Sequence, residues 1–523
     1  MPTYAPTYWA LIEDAAERWG DHVVVADDHG RTLSASALRD EACRAAAGLA
    51  AAGIGSGSVV SWQIPTVLEA VVLMGALARL DAVQNPIIPI LREREVGFIT
   101  RQVGTEFFIT PETWRGFGHG ALARGIGDEV GFTTIGLDMA SPPVIGEIRL
   151  PQGDPATLAP VPGAEGRDSL VRWFYYSSGT TADPKGARHT DLSIMAAASG
   201  MLELVGFNQR DVYPIAWPFS HIGGSTMLTV SLVGGVQLVL FDTFDPATTP
   251  ERMAAHRPTL LGSAVPFFNA FMAAQQRHGD EPLFPELRAC AGGGAPIPAE
   301  IHEELHRTLG VAGVTGSWGL TEFPIATSCT PDDPRAVRTF TVGRASPGVT
   351  IRAVLADGSD AGLDVEGELV LHGSQQFLGY IDPALDAHAF IDDNWFRTGD
   401  LGVVQSDGNI RLTGRLKDII IRNAENISAL EVEELLFKHP DVVDAAVIGL
   451  PDQRTGERVC AVVVLHDGAT LTIDGLRDHC RALGLAIQKC PEQLEITDAI
   501  PRNGMGKTLK QPLIATYRNK AGV

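Results

Sequence analysis

The sequence predicts an α/β protein built from a large N-terminal domain with several subdomains and a small α+β C-terminal domain. Three observations lead there. Between residues 22 and 292 short apolar strands alternate with helices, the pattern of parallel strands joined by helical crossovers. From about residue 340 the strands shorten and are separated by Gly and Asp turns, which marks a small β-rich subdomain. At 523 residues the chain also exceeds what one hydrophobic core organises.

In chain order, 22–26 (His-Val-Val-Val-Ala) reads as a strand and 34–52 as an amphipathic helix opened by Ser or Thr. Residues 59–64 form a second strand and 67–80 a second helix. This longest apolar stretch carries Glu69 and Arg79 and falls short of a membrane span. The alternation recurs near 236–241, 259–262 and 289–292. Residues 150–167, with four prolines and three glycines, read as a surface connection. The β-rich subdomain occupies about 340–414, with strands at 350–356, 367–372 and 408–413. A boundary falls at Gly414-Arg415-Leu416-Lys417-Asp418, which gives an N-terminal domain 1–414, a connection 415–418 and a C-terminal domain 419–523. The last unit reads as a strand (419–421), an acidic helix (430–438) and strands at 445–448 and 458–465, a sensible size for one small domain.

Composition narrows the function. With 45% hydrophobic and 20% charged residues the chain is an ordinary globular protein. A formal net charge of −22 argues against nucleic-acid binding and against docking on an anionic membrane. Six scattered cysteines with no C-x-x-C pair suggest neither a disulfide framework nor a zinc site, and point to a reducing cytoplasm. The start, Met1-Pro2-Thr3-Tyr4, lacks the basic-then-apolar layout of a secretion signal.

The chemistry lies in six segments. Tyr175-Tyr176-Ser177-Ser178-Gly179-Thr180-Thr181-Ala182-Asp183-Pro184-Lys185-Gly186 reads as a flexible loop with six hydroxyl side chains, two glycines and one lysine. Hydroxyls, glycine-exposed N–H groups and an ammonium suit a polyphosphate, although alone the run also reads as a solvated linker. It lacks the G-x-x-x-x-G-K-[ST] spacing of the nucleoside triphosphatase P-loop. Trp217-Pro218-Phe219-Ser220-His221-Ile222-Gly223-Gly224 carries a histidine that alone would more often be structural. Ala291-Gly292-Gly293-Gly294-Ala295-Pro296 permits close backbone approach to a flat ring, or only a tight turn. Ser317-Trp318-Gly319-Leu320-Thr321-Glu322, Trp395-Phe396-Arg397-Thr398-Gly399-Asp400 with Arg415, and Pro501-Arg502-Asn503-Gly504-Met505-Gly506-Lys507-Thr508-Leu509-Lys510 complete the set.

In this order the six segments resemble the adenylate-forming (ANL) superfamily of acyl-CoA synthetases, luciferases and peptide-synthetase adenylation domains. The resemblance covers nearly the whole chain, from His22 to Leu513. It implies attack of a carboxylate on the α-phosphate of ATP, then capture of the acyl group by a thiol. Ser177, Ser178, Gly179, Thr180, Thr181 and Lys185 would hold phosphates. Gly292, Gly293, Gly294, Ala295, Pro296, Ser317, Trp318 and Gly319 would form the adenine side, with Trp318 in place of the usual stacking tyrosine. Thr321 would meet the α-phosphate and Glu322 would hold Mg²⁺, which takes few protein ligands beside a nucleotide. Asp400 would accept the ribose hydroxyls and Arg415 would contact ribose or phosphate. Lys507 would bridge the carboxylate and the α-phosphate. His221 would border the acyl pocket, together with Phe219, Gly223, Val265, Phe267, Gly293 and Gly319, the paired glycines Gly223 and Gly224 leaving room for a bulky acid. A mobile C-terminal domain would turn about Lys417 between the half-reactions.

One loop departs from the family. Asn423 and Ala424, before Glu425, stand where acyl-CoA synthetases usually have two glycines, and Ala429 replaces a proline. Asn tolerates positive φ; the Ala424 methyl group would narrow the pantetheine tunnel that this loop flanks. Two readings follow: a full acyl-CoA ligase using ATP, Mg²⁺ and CoA, or an enzyme that forms the acyl-adenylate and hands it to a partner enzyme. A third class, an inactive ATP-binding interaction protein, would have lost Lys507, Glu322 or Asp400, and all three are present. The segment Gln84 to Glu95 resembles actinobacterial ligases close to cyclohexanecarboxylate–CoA ligase, which implies an alicyclic, terpenoid or steroid-type acid. The pocket candidates carry no acidic residue to hold an amino group, which makes amino-acid activation the weaker alternative. Luciferase-like chemistry shares the motifs. A small-molecule acid is the expected ligand, with neither nucleic acid nor membrane as partner, and a homodimer is compatible with the family.

Overall fold

The computed structural model describes residues 5–163, 165–166, 169–177, 184–294, 297–392, 394–423, 425–503 and 506–518. Among these the strands form five sheets. One orders Thr133–Leu137, Phe107–Pro111, Val59–Trp62, Val83–Pro86, Trp173–Ser177 and Lys185–His189; its strands are parallel except for the final hairpin. A second places Gln237–Leu240 parallel to both Val23–Asp27 and Val212–Ile215, with Thr32–Ser34 antiparallel at the edge. A third runs Leu260–Leu261, Ala289–Gly293 and Val314–Leu320 in parallel, then reverses into Phe323–Ser328 and Arg344–Ala345.

The change of pattern near residue 340 is real. Val349–Val354, Glu366–Gly373, Trp395–Val404, Phe390–Ile391 and Ile410–Arg415 form an all-antiparallel sheet. Beyond it Glu425–Ser428, Ile419–Arg422, Gly456–Leu465, Val442–Asp452 and Gln493–Ile496 make a fifth sheet with its own apolar core around Val432, Val459, Ala461 and Leu476. The chain is thus a mixed α/β molecule with a large N-terminal part and a small C-terminal one.

Local chemistry explains the elements. The helix Ala35–Ala51 starts where the Ser34 hydroxyl accepts the Ala37 N–H at 3.1 Å. Ser428 caps Ala429–Leu436 in the same way. The helix Leu68–Arg79 is apolar on every side because it is buried all round, from Leu68 to Leu77. No helix among the described residues is long and apolar enough to cross a membrane. Its one buried carboxylate, Glu69, is fully enclosed and doubly bonded by Arg31 (2.8 and 3.1 Å), with Arg149 at 3.1 Å. Burial would raise this carboxyl, but Arg31 and Arg149 outweigh it and hold it low.

One expectation stands and one needs correction. The described residues of 150–166 are largely exposed, a surface connection, though not a loose one. Gly153 donates its N–H to the Arg44 carbonyl (2.9 Å), and a Cβ at Gly48 would collide with Pro151, so paired glycines seat this stretch directly on the helix Ala35–Ala51. Not all six hydroxyls of 175–186, however, are free for phosphate. Tyr175, Tyr176 and Ser177 lie in a strand; Tyr175 is buried and donates to Ser225 (2.8 Å), and Tyr176 donates to Gln102 (2.7 Å).

Removing Glu69 breaks the buried pair with Arg31, leaving it to Asp27 and the Glu147 carbonyl, and takes the carboxylate from Arg149. Glu69→Ala is expected to lower stability by about 3–5 kcal/mol, measured by urea unfolding of the purified protein.

Candidate active site

The strands Trp173–Ser177 and Lys185–His189 pair so that Ser177 faces Lys185. They hold both ends of the phosphate-loop segment; Ser178, Gly179, Thr180, Thr181, Ala182 and Asp183 lie outside the described residues. Lys185 Nζ sits 5.5 Å from the Tyr380 ring centroid. The Tyr380 hydroxyl donates to Glu322 Oε1 at 2.7 Å, and the Ser177 hydroxyl reaches the same oxygen at 3.4 Å. Burial and the Glu322 charge push the Tyr380 phenol up, which keeps it a donor. Sequence reading missed Tyr380.

It also missed His189, fully buried at the end of the same hairpin. His189 Nε2 lies 2.8 Å from the Thr321 carbonyl oxygen and Nδ1 lies 2.9 Å from Ser193 Oγ. A carbonyl only accepts, so the neutral ring carries its proton on Nε2. Burial drives the pKa down to about 4 despite the favourable Thr321 contact. The Thr321 main chain is therefore held by a group that stays neutral.

The glycine segment behaves differently from expectation. A Cβ on Gly292 would lie 2.8 Å from the Ser263 carbonyl oxygen and one on Gly293 would lie 2.8 Å from that of Ser317; on Gly319 it would collide with Pro324. Only Gly294 needs its freedom for a turn, at φ +80°. Gly292, Gly293 and Gly319 thus let neighbouring backbone segments of the third sheet approach closely. Ala295 and Pro296 lie outside the described residues. Ser317 Oγ lies 3.1 Å from Ser328 Oγ.

The acyl-pocket candidates divide. Val265 and Phe267 open the helix Val265–His278 and keep partial exposure. Phe219 does not line an open space: it is fully buried and its N–H is held by Thr66 Oγ1 at 3.1 Å. The paired glycines leave no vacancy either. A methyl on Gly223 would meet the Trp217 ring and His221 Nδ1 at 3.3 Å, and one on Gly224 would collide with the Phe219 carbonyl. His221 caps the following helix, accepting the Gly223 N–H on Nδ1 at 3.1 Å. The residue is half-buried, and the desolvation of its ring pushes its pKa down to about 4.

The clearest convergence links the two ends of the chain. Trp318 Nε1 donates to Asp400 Oδ2 at 2.9 Å, and Arg415 Nε donates to Asp400 Oδ1. Asp400 is buried at the hairpin where Trp395–Val404 meets Ile410–Arg415. Lys507 joins this group from the C-terminal end. Burial, then Arg415 and Lys417, push its ammonium down to about 8, against the opposing pull of Asp400 and Asp418. Burial and Arg415 also lower Lys417, and Lys185 adds to that repulsion. A side chain on Gly506, at φ +81°, would touch the Ala264 methyl at 3.3 Å, so the lysine loop rests where the helix Val265–His278 begins. Within the loop, Asn503 Oδ1 accepts the Lys507 N–H at 2.9 Å and Arg502 donates to the Gly506 carbonyl at 2.7 Å.

This cluster carries more cations than the nearby carboxylates balance, the chemistry of a polyanion site. Glu322 adds a single buried carboxylate, and no group of three or more metal-binding side chains occurs among the described residues. That donor set fits an ion held mainly by phosphate and water oxygens. Asn423 and Glu425 are exposed at the hairpin joining Ile419–Arg422 to Glu425–Ser428. Asn423 adopts φ +50°, the conformation for which asparagine substitutes for glycine. Ala424 lies outside the described residues.

Residues 12–381 match the AMP-binding enzyme family, and 431–507 match the AMP-binding enzyme C-terminal domain. The chain belongs to this adenylate-forming family and is an enzyme of its acyl-CoA synthetase class. It is 31% identical to a sulfoacetate–CoA ligase of Cupriavidus necator, covering 98% of both chains. It is 30% identical to a medium-chain fatty-acid–CoA ligase of Escherichia coli K12, covering 96% of this chain and 88% of that one. ATP-bound MatB from Rhodopseudomonas palustris superposes with a TM-score of 0.85 at 27% identity, covering 97% of this chain and 99% of that one.

His189→Leu removes the donor to Thr321. A loss of about 1–3 kcal/mol in unfolding free energy is expected, together with slower ATP–pyrophosphate exchange, while His189→Gln, which restores an N–H donor, recovers part of both.

Proposed function

We propose that the protein activates a carboxylic acid with ATP to an acyl-adenylate and transfers the acyl group to CoA. The observation that carries this reading is the meeting of Lys507, Arg415 and Lys417 with Asp400 beside the start of the helix Val265–His278. The substrate carboxylate attacks the α-phosphorus, the bond to the bridging oxygen breaks, and pyrophosphate leaves. Lys507 spans the attacking carboxylate and the α-phosphate and offsets the charge that grows there. Lys185 and the hydroxyls of the phosphate loop hold the outer phosphates, Thr321 meets the α-phosphate, and Asp400 accepts from the ribose. Mg²⁺, held by Glu322, supplies neutralising charge on the phosphate oxygens when bound. The nearby neutral His189 and Tyr380 keep Thr321 and Glu322 in place, so the work is positioning and electrostatics.

The second half-reaction follows a turn of 419–523 about the connection at Lys417. The CoA thiol then adds to the acyl carbonyl and AMP departs. We place the bulk of the acid along Val265 and Phe267, since Trp217 and Phe219 occupy the wall at Gly223 and Gly224. These contacts are apolar, which supports an alicyclic, terpenoid or steroid-type acid, in line with the likeness of 84–95 to cyclohexanecarboxylate–CoA ligases. The second reading, an enzyme that forms acyl-AMP and passes it to a partner, rests on Ala424 standing in place of glycine. Six scattered cysteines with no C-x-x-C pair support a cytoplasmic site of action.

Two experiments test this. Full-length protein with ATP, Mg²⁺ and a panel of alicyclic, terpenoid, steroid and medium-chain acids is expected to release pyrophosphate and, with CoA, to convert acyl-AMP promptly to acyl-CoA by mass spectrometry. Acyl-AMP that persists beside CoA would favour the partner reading, and no pyrophosphate from any acid of the panel would remove the alicyclic, terpenoid and steroid reading of the substrate. Lys507 acts protonated, so kcat/KM for adenylation is expected to be level below pH 8 and to fall as pH rises through about 8. Lys507→Ala should abolish that limb and lower the adenylation rate about 10²–10³-fold.

A further inference from the structure

We propose that Trp318 is a positioning residue for nucleotide selection: its indole N–H fixes the Asp400 carboxylate so that ATP is preferred over deoxy-ATP. The inference rests on the reading of Asp400 as the ribose carboxylate and gives Trp318 a task beyond bordering adenine.

Trp318 belongs to Val314–Leu320 in one sheet, and Asp400 to Trp395–Val404 in another, 82 residues away. Their bond is buried, with Trp318 7% and Asp400 3% exposed. So little of the indole surface is open that the ring is held chiefly by packing, in an apolar cluster with Phe323 and Phe396. The torsion of a carboxylate about its last bond is broad and intrinsically two-fold. Here Trp318 holds Oδ2 at 2.9 Å while Arg415 holds Oδ1, so donors from two different strands fix the plane. The main chain beneath is set as well: the Asp400 N–H bonds Thr398 Oγ1 at 3.0 Å, and that hydroxyl donates to the Leu369 carbonyl at 2.7 Å.

An ionised carboxylate accepts at about four lone-pair positions. One N–H on each oxygen leaves an acceptor position on each oxygen, which matches the two vicinal hydroxyls of a ribose. Without the indole donor Oδ2 loses its anchor, and the carboxylate turns towards Arg415 alone. A phenylalanine has no donor. A tyrosine carries its hydroxyl at the end of the ring, not on its flank, so Trp318→Tyr keeps an aromatic side chain and displaces the donor.

The test is calorimetric titration of the full-length protein with ATP, 2′-deoxy-ATP and 3′-deoxy-ATP in MgCl₂, with thermal unfolding as the check on folding. In Trp318→Phe and in Trp318→Tyr, ATP binding is expected to weaken about tenfold, the effect of one hydrogen bond to a charged group. The deoxy analogues, each lacking one hydroxyl, should lose about threefold or less. In an Asp400→Ala background Trp318→Phe should change the ATP-to-deoxy-ATP preference no further, because the two residues act as one unit. Equal weakening of all three nucleotides, or an unchanged preference, would overturn the proposal and leave Trp318 as a packing or adenine contact. Asp400→Ala that leaves the wild-type preference intact would overturn the ribose reading itself. Should Trp318→Phe not fold, Trp318→Tyr carries the same comparison.

Discussion

The site depends on like charges held together. Lys507 and Lys417 are driven towards neutrality first by burial and then by Arg415, while Asp400 and Asp418 pull the other way and lose. In a chain of net charge −22 this is a local reversal of sign. A polyanion bound among these groups relieves their repulsion, and the same groups join the C-terminal lysine loop to the N-terminal helix at Ala264. A nucleotide held among these groups would therefore favour docking of the loop, and the docked loop would favour the nucleotide, by linkage.

Around these charges stand supports that do not titrate near neutrality. His189 bonds the Thr321 carbonyl, Tyr380 bonds Glu322, and Trp318 bonds Asp400. Each joins separate parts of the fold, and each is buried deeply enough to keep one protonation state. Electrostatic stabilisation is effective when the stabilising groups need not reorganise during the reaction. A carboxylate or hydroxyl aimed by a neutral, buried partner meets that requirement over a wide pH range, which leaves the lysine as the group through which pH acts.

Much of this was readable in the chain, for a physical reason. Helix 34–52 and strand 59–64 announced themselves through caps and apolar period and emerged as Ala35–Ala51 and Val59–Trp62. Segments such as Arg397-Thr398-Gly399-Asp400 were recognisable because their chemistry is packed into a few neighbouring residues. The supports were not, since His189 and Thr321 are 132 residues apart, Tyr380 and Glu322 are 58 apart, and nothing local couples them. A histidine, a tyrosine and a tryptophan in apolar surroundings read as core until the fold shows which polar atom each one reaches. The tyrosines at 175 and 176 failed in the opposite sense: their hydroxyls looked like part of a phosphate loop and instead anchor a strand.

Glycine was the residue most easily misread, and the error bears on the acid. A missing Cβ reads as room, yet at Gly223, Gly224, Gly293 and Gly319 the space is already taken by Trp217, Phe219, Ser317 and Pro324. Such glycines record close contact between protein segments and say little about ligand size. Room here is set instead by the large side chains that fill it, so a smaller residue at Trp217 would open volume, whereas a methyl at Gly223 would press on Trp217 and His221 and one at Gly224 would clash with the Phe219 carbonyl. That distinction fits a family in which chains about 30% identical are named for acids as different as sulfoacetate and medium-chain fatty acids. The cluster around Asp400 is built from charges and hydrogen bonds with narrow tolerance. The surroundings of His221 are built from packing, where volume can be traded between neighbouring side chains without disturbing the charges.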